Sequence, residues 1–390
     1  MLDLTPNIRG SVKKVNPFRV MTVMHRASEL EAEGRKIVHM EVGEPDFSTA
    51  APIINAAKEA LDQGLTQYTV APGIPQLREC LVGHYREKYG VEISLDRILI
   101  TPGASGGLGL LANMLVTAGD GVLLSDPAYP CVRNFIHLMA AEPQLVPVGL
   151  EQNFQPTVDQ LESHYQENTS GLWLASPGNP TGTIMERGRL TDVCAWAKKK
   201  RLHLLVDEIY QGLNYVDDMP SVLELDQSTF VVNSFSKYFG MTGWRLGWVV
   251  VPDEYVETAN ILAQNLYISA SSIAQYGALA AFSSECIEIL DTRREAFRER
   301  RNFLSAGLRD LGFELSENIQ GAFYVYAGIK NFSNDCEKFC SDLLENHGVA
   351  ITPGTDFGDY KSLEHVRIAF TTNIENLTLG LARLEAALKS

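Results

Sequence analysis

The stretch "NSFSKYFGMTGWRLGW", residues 233–248, carries a single lysine, Lys237, with Arg245 eight positions later. An apolar run, "TFVV", leads into it, and serines, aromatic residues and glycines surround the two cations. A solvated loop with two charges is the plain reading. The sharper one is that Lys237 is a nucleophile, since apolar surroundings disfavour an ammonium, and that Arg245 holds an anion beside it. Three more loops carry reactive types at the ends of apolar runs. "LHLLVDEIY" (202–210) ends on Asp207 and places Tyr210 three residues on; an acid there is a helix cap or a carboxylate set to bind a cation. "GLWLASPGNPTG" (171–182) holds Asn179 rigidly between Gly178 and Pro180. "RILITPGASGG" (97–107) runs into a glycine turn at a helix start, where outward N–H groups attract phosphate. That turn fits neither the dinucleotide fingerprint nor the Walker lysine loop.

Together these groups describe one ligand. A lysine forms an imine, and a carboxylate keeps a ring nitrogen protonated. A hydroxyl and an amide hold a ring oxygen, while an arginine, serines and a helix N-terminus hold a phosphate. Pyridoxal 5′-phosphate has this combination of groups.

The elements that position the loops follow from hydrophobic patterning. Apolar runs at 97–101, 121–127, 171–175, 202–206, 229–233 and 245–252 alternate with helical stretches such as "MERGRLTDVCAWAKKK". Such alternation predicts an α/β fold with a mainly parallel sheet covered by helices, and ligands beyond the C-terminal strand ends. From about residue 290 the texture changes. "DTRREAFRERRNFLSAGLRDLG" reads as a charged amphipathic helix whose arginines, Arg293 to Arg301, form a solvated face linking two units. "GAFYVYAGI" and "HVRIAFTT" read as strands of a smaller α+β domain. The expected division is 1–48 as N-terminal arm and part of the small domain, 49–290 as the large domain, and 291–390 as the small C-terminal domain. Val20, Val23, Met24, Ala27 and Leu30 recur at helical spacing and predict a packed helix face.

Composition narrows the function classes. The 390 residues are 45% hydrophobic and 21% charged, enough for a sizeable core. A net charge of −15 disfavours nucleic acid as a partner. No 18-residue uncharged apolar run is present, which disfavours a membrane span. "MLDLTPNIRGSVKKVNPF" lacks the pattern of a secretory signal, and the six scattered cysteines do not form a disulfide framework. A cytoplasmic protein is expected. Cys336 and Cys340 share a helix face near His347, but nothing completes a zinc ligand set, so a half-buried helix is the expectation and no metal is assigned.

Six landmarks in order, "VGEPDF" (42–47), "YTVAPGIPQLRE" (68–79), "SPGNPTG" (176–182), "DEIY" (207–210), "SFSKYFGMTGWRLGW" (234–248) and "VRIAF" (366–370), resemble the class I/II aminotransferases of pyridoxal-phosphate fold type I along nearly the whole chain. The resemblance implies that Lys237 joins the cofactor as a Schiff base and shuttles the substrate proton. It implies that Asp207 pairs with the pyridine nitrogen, that Tyr210 and Asn179 bond the phenolic oxygen, and that Tyr129 stacks on the ring. Arg245, Ser234 and the Ala104–Ser105 backbone would hold the phosphate, with Ser236 nearby. Related enzymes carry a longer polar residue where this chain has Ala104 and Ser105, which throws more of the phosphate onto Arg245. Tyr68 matches a tyrosine that reaches the neighbouring subunit's phosphate, implying a homodimer with shared sites. Arg367 matches the arginine that clamps the substrate carboxylate, and Gly43 a backbone position close to the substrate.

The expected reaction is a two-stage, ping-pong transfer of an amino group from an L-amino acid to a 2-oxo acid. The alternatives are a β-lyase and a catalytically silent binding protein of the same fold. A dicarboxylic substrate requires a second cation, for which Arg19, Arg26 and Arg133 are the candidates. Phe18, Met21, Met24 and Phe357 are candidates for an apolar pocket, although core packing is the expectation for most of these. Donor and acceptor remain open.

Overall fold

The computed structural model describes residues 10–389. The segment read above for a secretory signal lies partly outside them, as do the first nine residues of the arm. The strands are β1 (Val38–His39), β2 (Ile98–Thr101), β3 (Gly121–Asp126), β4 (Glu142–Pro147), β5 (Thr169–Ala175), β6 (His203–Asp207), β7 (Phe230–Ser234), β8 (Gly247–Val250), β9 (Tyr324–Gly328), β10 (Val349–Ala350), β11 (Thr352–Pro353) and β12 (His365–Ala369). Seven form one sheet in the order β2-β8-β7-β6-β5-β3-β4, antiparallel only where β8 meets β2 and β7. Strands β2 and β7 are buried along their whole length, as expected where helices cover both faces. β4 was not read from the sequence. Its two prolines sit on the sheet edge, where a missing ladder donor costs little.

Register brings the chemistry-bearing ends together. Ala175 pairs with Asp207, Asp207 with Val232, and Gly247 with both Ser234 and Thr101. The ends of five strands, the C-terminal ends of β2, β5, β6 and β7 and the start of β8, therefore lie side by side, at the position where ligands are expected in such sheets.

A second, antiparallel sheet has the order β11-β12-β9, and β1 pairs in parallel with β10. Residues 38–42 thus lie against the C-terminal part of the chain: Met40 N donates to Ala350 O and Ala369 N to Met40 O. The expected stripe on the Arg19–Ala32 helix is present, with Val20, Ala27 and Leu30 buried. Cys336 and Cys340 face inward from the Cys336–His347 helix. The arginine cluster departs from expectation. Arg300 on the long Ser284–Asp310 helix is 6% exposed, and its guanidinium bonds both oxygens of Asp46 at 2.8 and 3.0 Å and Thr371 O at 2.9 Å. Arg293 and Arg300 lie over the ring of Phe47, so two of these arginines hold the "EPDF" loop in place.

β1 also carries a charge pair. His39 Nδ1 donates to the fully buried Glu41 at 2.8 Å and Nε2 to Glu31 at 3.1 Å. Its partners raise its pKa from 6.5 to about 9. A raised folded-state pKa stabilises fully below 6.5, and the contribution fades as pH rises through 9. The melting-temperature gap between wild type and His39→Gln should therefore be widest below pH 6.5 and close by about pH 9. A gap independent of pH would remove the pairing as its cause.

Candidate active site

Lys237 follows β7 in a turn fixed from below. Phe235 is buried against Phe239 and Trp248, with ring centres 5.0 and 4.9 Å away, and its N–H donates to Leu246 O. With its neighbours packed inward, Lys237 points into a cavity of about 370 Å³ at the strand ends. Its Nζ donates to Gly43 O at 2.7 Å. Burial, then Arg367 and less strongly Arg245, lower its pKa from 10.5 to about 8, against the pull of Glu44 and Asp207. Arg367, distant in the chain, thus acts on Lys237 more strongly than Arg245 does.

Asp207 ends β6 as a buried carboxylate. Its Oδ1 accepts the local turn bond from Ile209 N at 3.0 Å, and the carboxylate also lines the cavity, which a cap alone does not require. Burial raises its pKa from 3.8 to about 7, offset in part by that bond and by Lys237. Tyr210 is 3% exposed and shares a 3.0 Å hydroxyl contact with Tyr324. Asn179 follows β5, and its Oδ1 accepts from Arg367 Nη1 at 3.0 Å. Arg367 comes from β12 and is 2% exposed. Its guanidinium lies between the rings of Tyr324 (4.3 Å) and Phe357 (4.7 Å), and Nη2 donates to Glu41 O at 2.5 Å. The buried Arg367 Nε has no partner among the described residues, so this donor is left available to an anion.

The opposite charge centre lies at the start of the Gly103–Leu115 helix. Pro102 supplies no side-chain cap, which leaves the first N–H groups free. Gly103 has φ of +70°, and a Cβ there would stand 2.5 Å from Arg245 Nη2. The guanidinium is thus laid against the helix start, where glycine is needed for both conformation and space.

Of the residues predicted from sequence, Gly43, Ala104, Ser105, Tyr129, Asn179, Asp207, Tyr210, Ser236, Lys237, Arg245 and Arg367 line this one cavity. Two predicted residues do not. Ser234 turns its hydroxyl into its own loop, bonding Leu246 O at 3.0 Å and Ser236 Oγ at 2.9 Å. Tyr68 is 81% exposed and lies away from the cavity. Arg19, Arg26 and Arg133 do not line it either, and nor do Met24 and Phe357, whereas Phe18 and Met21 do.

Sequence reasoning missed Tyr324, Glu44 and Thr242, all in the wall. Tyr324 closes the site from β9: a Cβ at Gly43 would meet its Oη at 1.7 Å. No local spacing connects two residues so far apart in the chain. Alternation in "GAFYVYAGI" was the only available signal, and it marks a strand rather than a site.

The family model for class I and II aminotransferases matches residues 35–384. A (5-formylfuran-3-yl)methyl phosphate transaminase of Methanocaldococcus jannaschii is 37% identical, covering 94% of this chain and 96% of its own. A valine–pyruvate aminotransferase of Mycobacterium tuberculosis is 35% identical, over 96% and 97%. The crystal structure of an aminotransferase from Mycobacterium tuberculosis superposes with a TM-score of 0.95 at 34% identity, over 99% of this chain and 100% of that one. The fold is that of the fold type I aminotransferases, and the chain belongs to the class I and II aminotransferase family. It is a pyridoxal-phosphate-dependent enzyme that transfers an amino group from an amino acid to a 2-oxo acid. Neither the lyase nor the silent binding protein is favoured by these relatives.

Gly43→Ala should lower kcat/KM at least about tenfold, because its carbonyl meets Lys237 while the new methyl is forced against Tyr324. Steady-state rates alongside far-ultraviolet circular dichroism test this. Less than a twofold loss with an intact spectrum would mean that Tyr324 yields freely.

Proposed function

We propose that the cavity residues divide the transamination between them in the way that the family resemblance implies. The observation carrying this reading is Lys237 Nζ, lowered to about 8 in a cavity that also holds the Asp207 carboxylate and an unpaired Arg367 donor. Pyridoxal phosphate supplies the aldehyde that receives the amino group and the ring that draws electrons from the substrate Cα–H bond. The residues present fit it. Arg245 and the free N–H groups at Ala104 and Ser105 make a cradle for a phosphate dianion, with Ser236 beside them. Ser234 contributes by bracing Ser236.

Asp207 would pair with the ring nitrogen, Tyr210 and Asn179 would bond the ring oxygen, and Tyr129 would pack on the ring face. Lys237 Nζ would hold the cofactor and, once free of it, would take the proton from the substrate Cα and return it to the cofactor carbon on the other side of the shared nitrogen. A lysine near 8 does this at neutral pH far more readily than one at 10.5. Arg367 holds the substrate carboxylate through donors that include Nε.

We also propose a homodimer. Tyr68 (81% exposed) and Val70 (58%) stand on a segment tied to Ser272 and Gln275, with exposed Ile268 just upstream. Such an apolar face suits a second copy, whose cavity Tyr68 would enter. Residues 49–290 as large domain and 291–390 with the N-terminal arm as small domain agree with where the two sheets lie. Six unpaired cysteines agree with a reducing, cytoplasmic setting.

Apo protein mixed with pyridoxal phosphate should take it up, by absorbance, at a rate rising with pH about a midpoint near 8, because only the neutral amine attacks. A midpoint near 10.5 would mean that burial leaves Lys237 unperturbed. Lys237→Ala should abolish turnover, and full retained activity would end the scheme. Mixing Lys237→Ala with Tyr68→Ala subunits should restore activity that neither has alone, since one site in each hybrid is then intact. If no activity returns although hybrids form, the sites are not shared.

A further inference from the structure

One stretch of the cavity wall is apolar and comes from the N-terminal segment: Phe18, Val20 and Met21. Phe18 meets the ring of Tyr129 edge-on at 6.0 Å, which continues this apolar wall to the cofactor position. The basic candidates for a side-chain carboxylate are all engaged elsewhere. Arg19 pairs with Glu337, Arg26 with Glu345 and Glu29, and Arg133 donates to Asp356 O. Building on the transaminase reading, we propose that this wall is the receptor for the substrate side chain. It selects amino acids with apolar side chains larger than methyl, and Asp356 is the positioning residue that holds it in place.

Asp356 is 3% exposed and does not line the cavity. Its Oδ1 accepts from Arg19 N at 2.8 Å and its Oδ2 from Val20 N at 3.4 Å. These are the first N–H groups of the Arg19–Ala32 helix, and the preceding residue, Phe18, has no side chain able to cap them. A carboxylate from a distant turn therefore does the capping, and its charge favours the positive end of the helix. The same turn reaches the other walls. Asp356 O accepts from Arg133 Nη2 at 3.1 Å, Phe357 O from Ala128 N at 2.9 Å beside Tyr129, and the Phe357 ring packs on Arg367. One short segment thus sets the spacing between the arginine for the α-carboxylate and the wall for the side chain. A free helix start would let Phe18 and Met21 drift from that spacing, at a cost only to substrates long enough to touch them.

The test is kcat/KM for donor amino acids, measured in the first half-reaction with loaded enzyme by cofactor absorbance. Leucine, methionine or phenylalanine should exceed aspartate and glutamate by about tenfold or more, a range that apolar pockets reach. Asp356→Ala should reduce the leucine-to-alanine ratio about tenfold, chiefly through KM. Asp356→Asn keeps an acceptor oxygen and should recover part of that ratio. Phe18→Ala should reduce it in the same direction. An equal loss on all donors would make Asp356 merely structural and overturn the proposal, as would aspartate or glutamate as best donor. Turnover with no donor at all would strike the transaminase reading itself, and the subsite with it.

Discussion

The arrangement depends on a buried cation with no carboxylate beside it. Among the described residues no acid lies within ion-pair distance of Arg367. Its charge is balanced instead by a backbone carbonyl, an amide oxygen and the faces of two aromatic rings. Burying a guanidinium on such terms is costly, and an anion at the unpaired Nε would offset that cost. Several neighbours follow from it. Tyr324 keeps its ring centre 4.3 Å from the guanidinium, which leaves its hydroxyl where a Cβ on residue 43 would stand, so that residue is glycine. Asn179 must turn its oxygen inward, and residues 38–42 must thread between β10 and β12 to offer Glu41 O. The same charge depresses the pKa of Lys237.

This explains how a chain of net charge −15 handles anions. The cations that matter are drawn into one cavity, one against a helix start and one against rings, while most acids stay outside. Bulk charge therefore bears on association with a polyanion but not on a small anionic ligand, whose field is set within a few ångströms.

Much of this was legible in the sequence because it is local. Lys237, Asp207, Asn179 and the "TPGASGG" turn each sit at the end of an apolar run, and the parallel sheet converts that one-dimensional position into a shared location. What was not legible is what crosses the chain. Tyr324 and Gly43 meet only because β9 passes beneath residues 42–44, and no periodicity encodes that. The arginines of the long helix look alike in sequence, yet Arg300 is buried and Arg298 is exposed, since only one faces the "EPDF" loop. Ser234 and Ser236 are two residues apart, and the turn after β7 sends only the second into the cavity.

Lys237 and Asp207 also constrain each other before any cofactor arrives. Each is shifted by burial toward neutrality, the amine to about 8 and the carboxyl to about 7, so near neutral pH the amine keeps most of its proton and the carboxyl only part of its charge. Burial alone would neutralise both, and their mutual attraction opposes it. On the proposed reading, a protonated ring nitrogen beside Asp207 would draw its pKa down. Lys237 would then feel less of the Asp207 pull and be left chiefly with burial and Arg367, both of which favour the neutral amine. The ligand itself would thus favour the ionised carboxylate and the neutral amine that transamination calls for, from a starting point where the protein holds the two titrations close together.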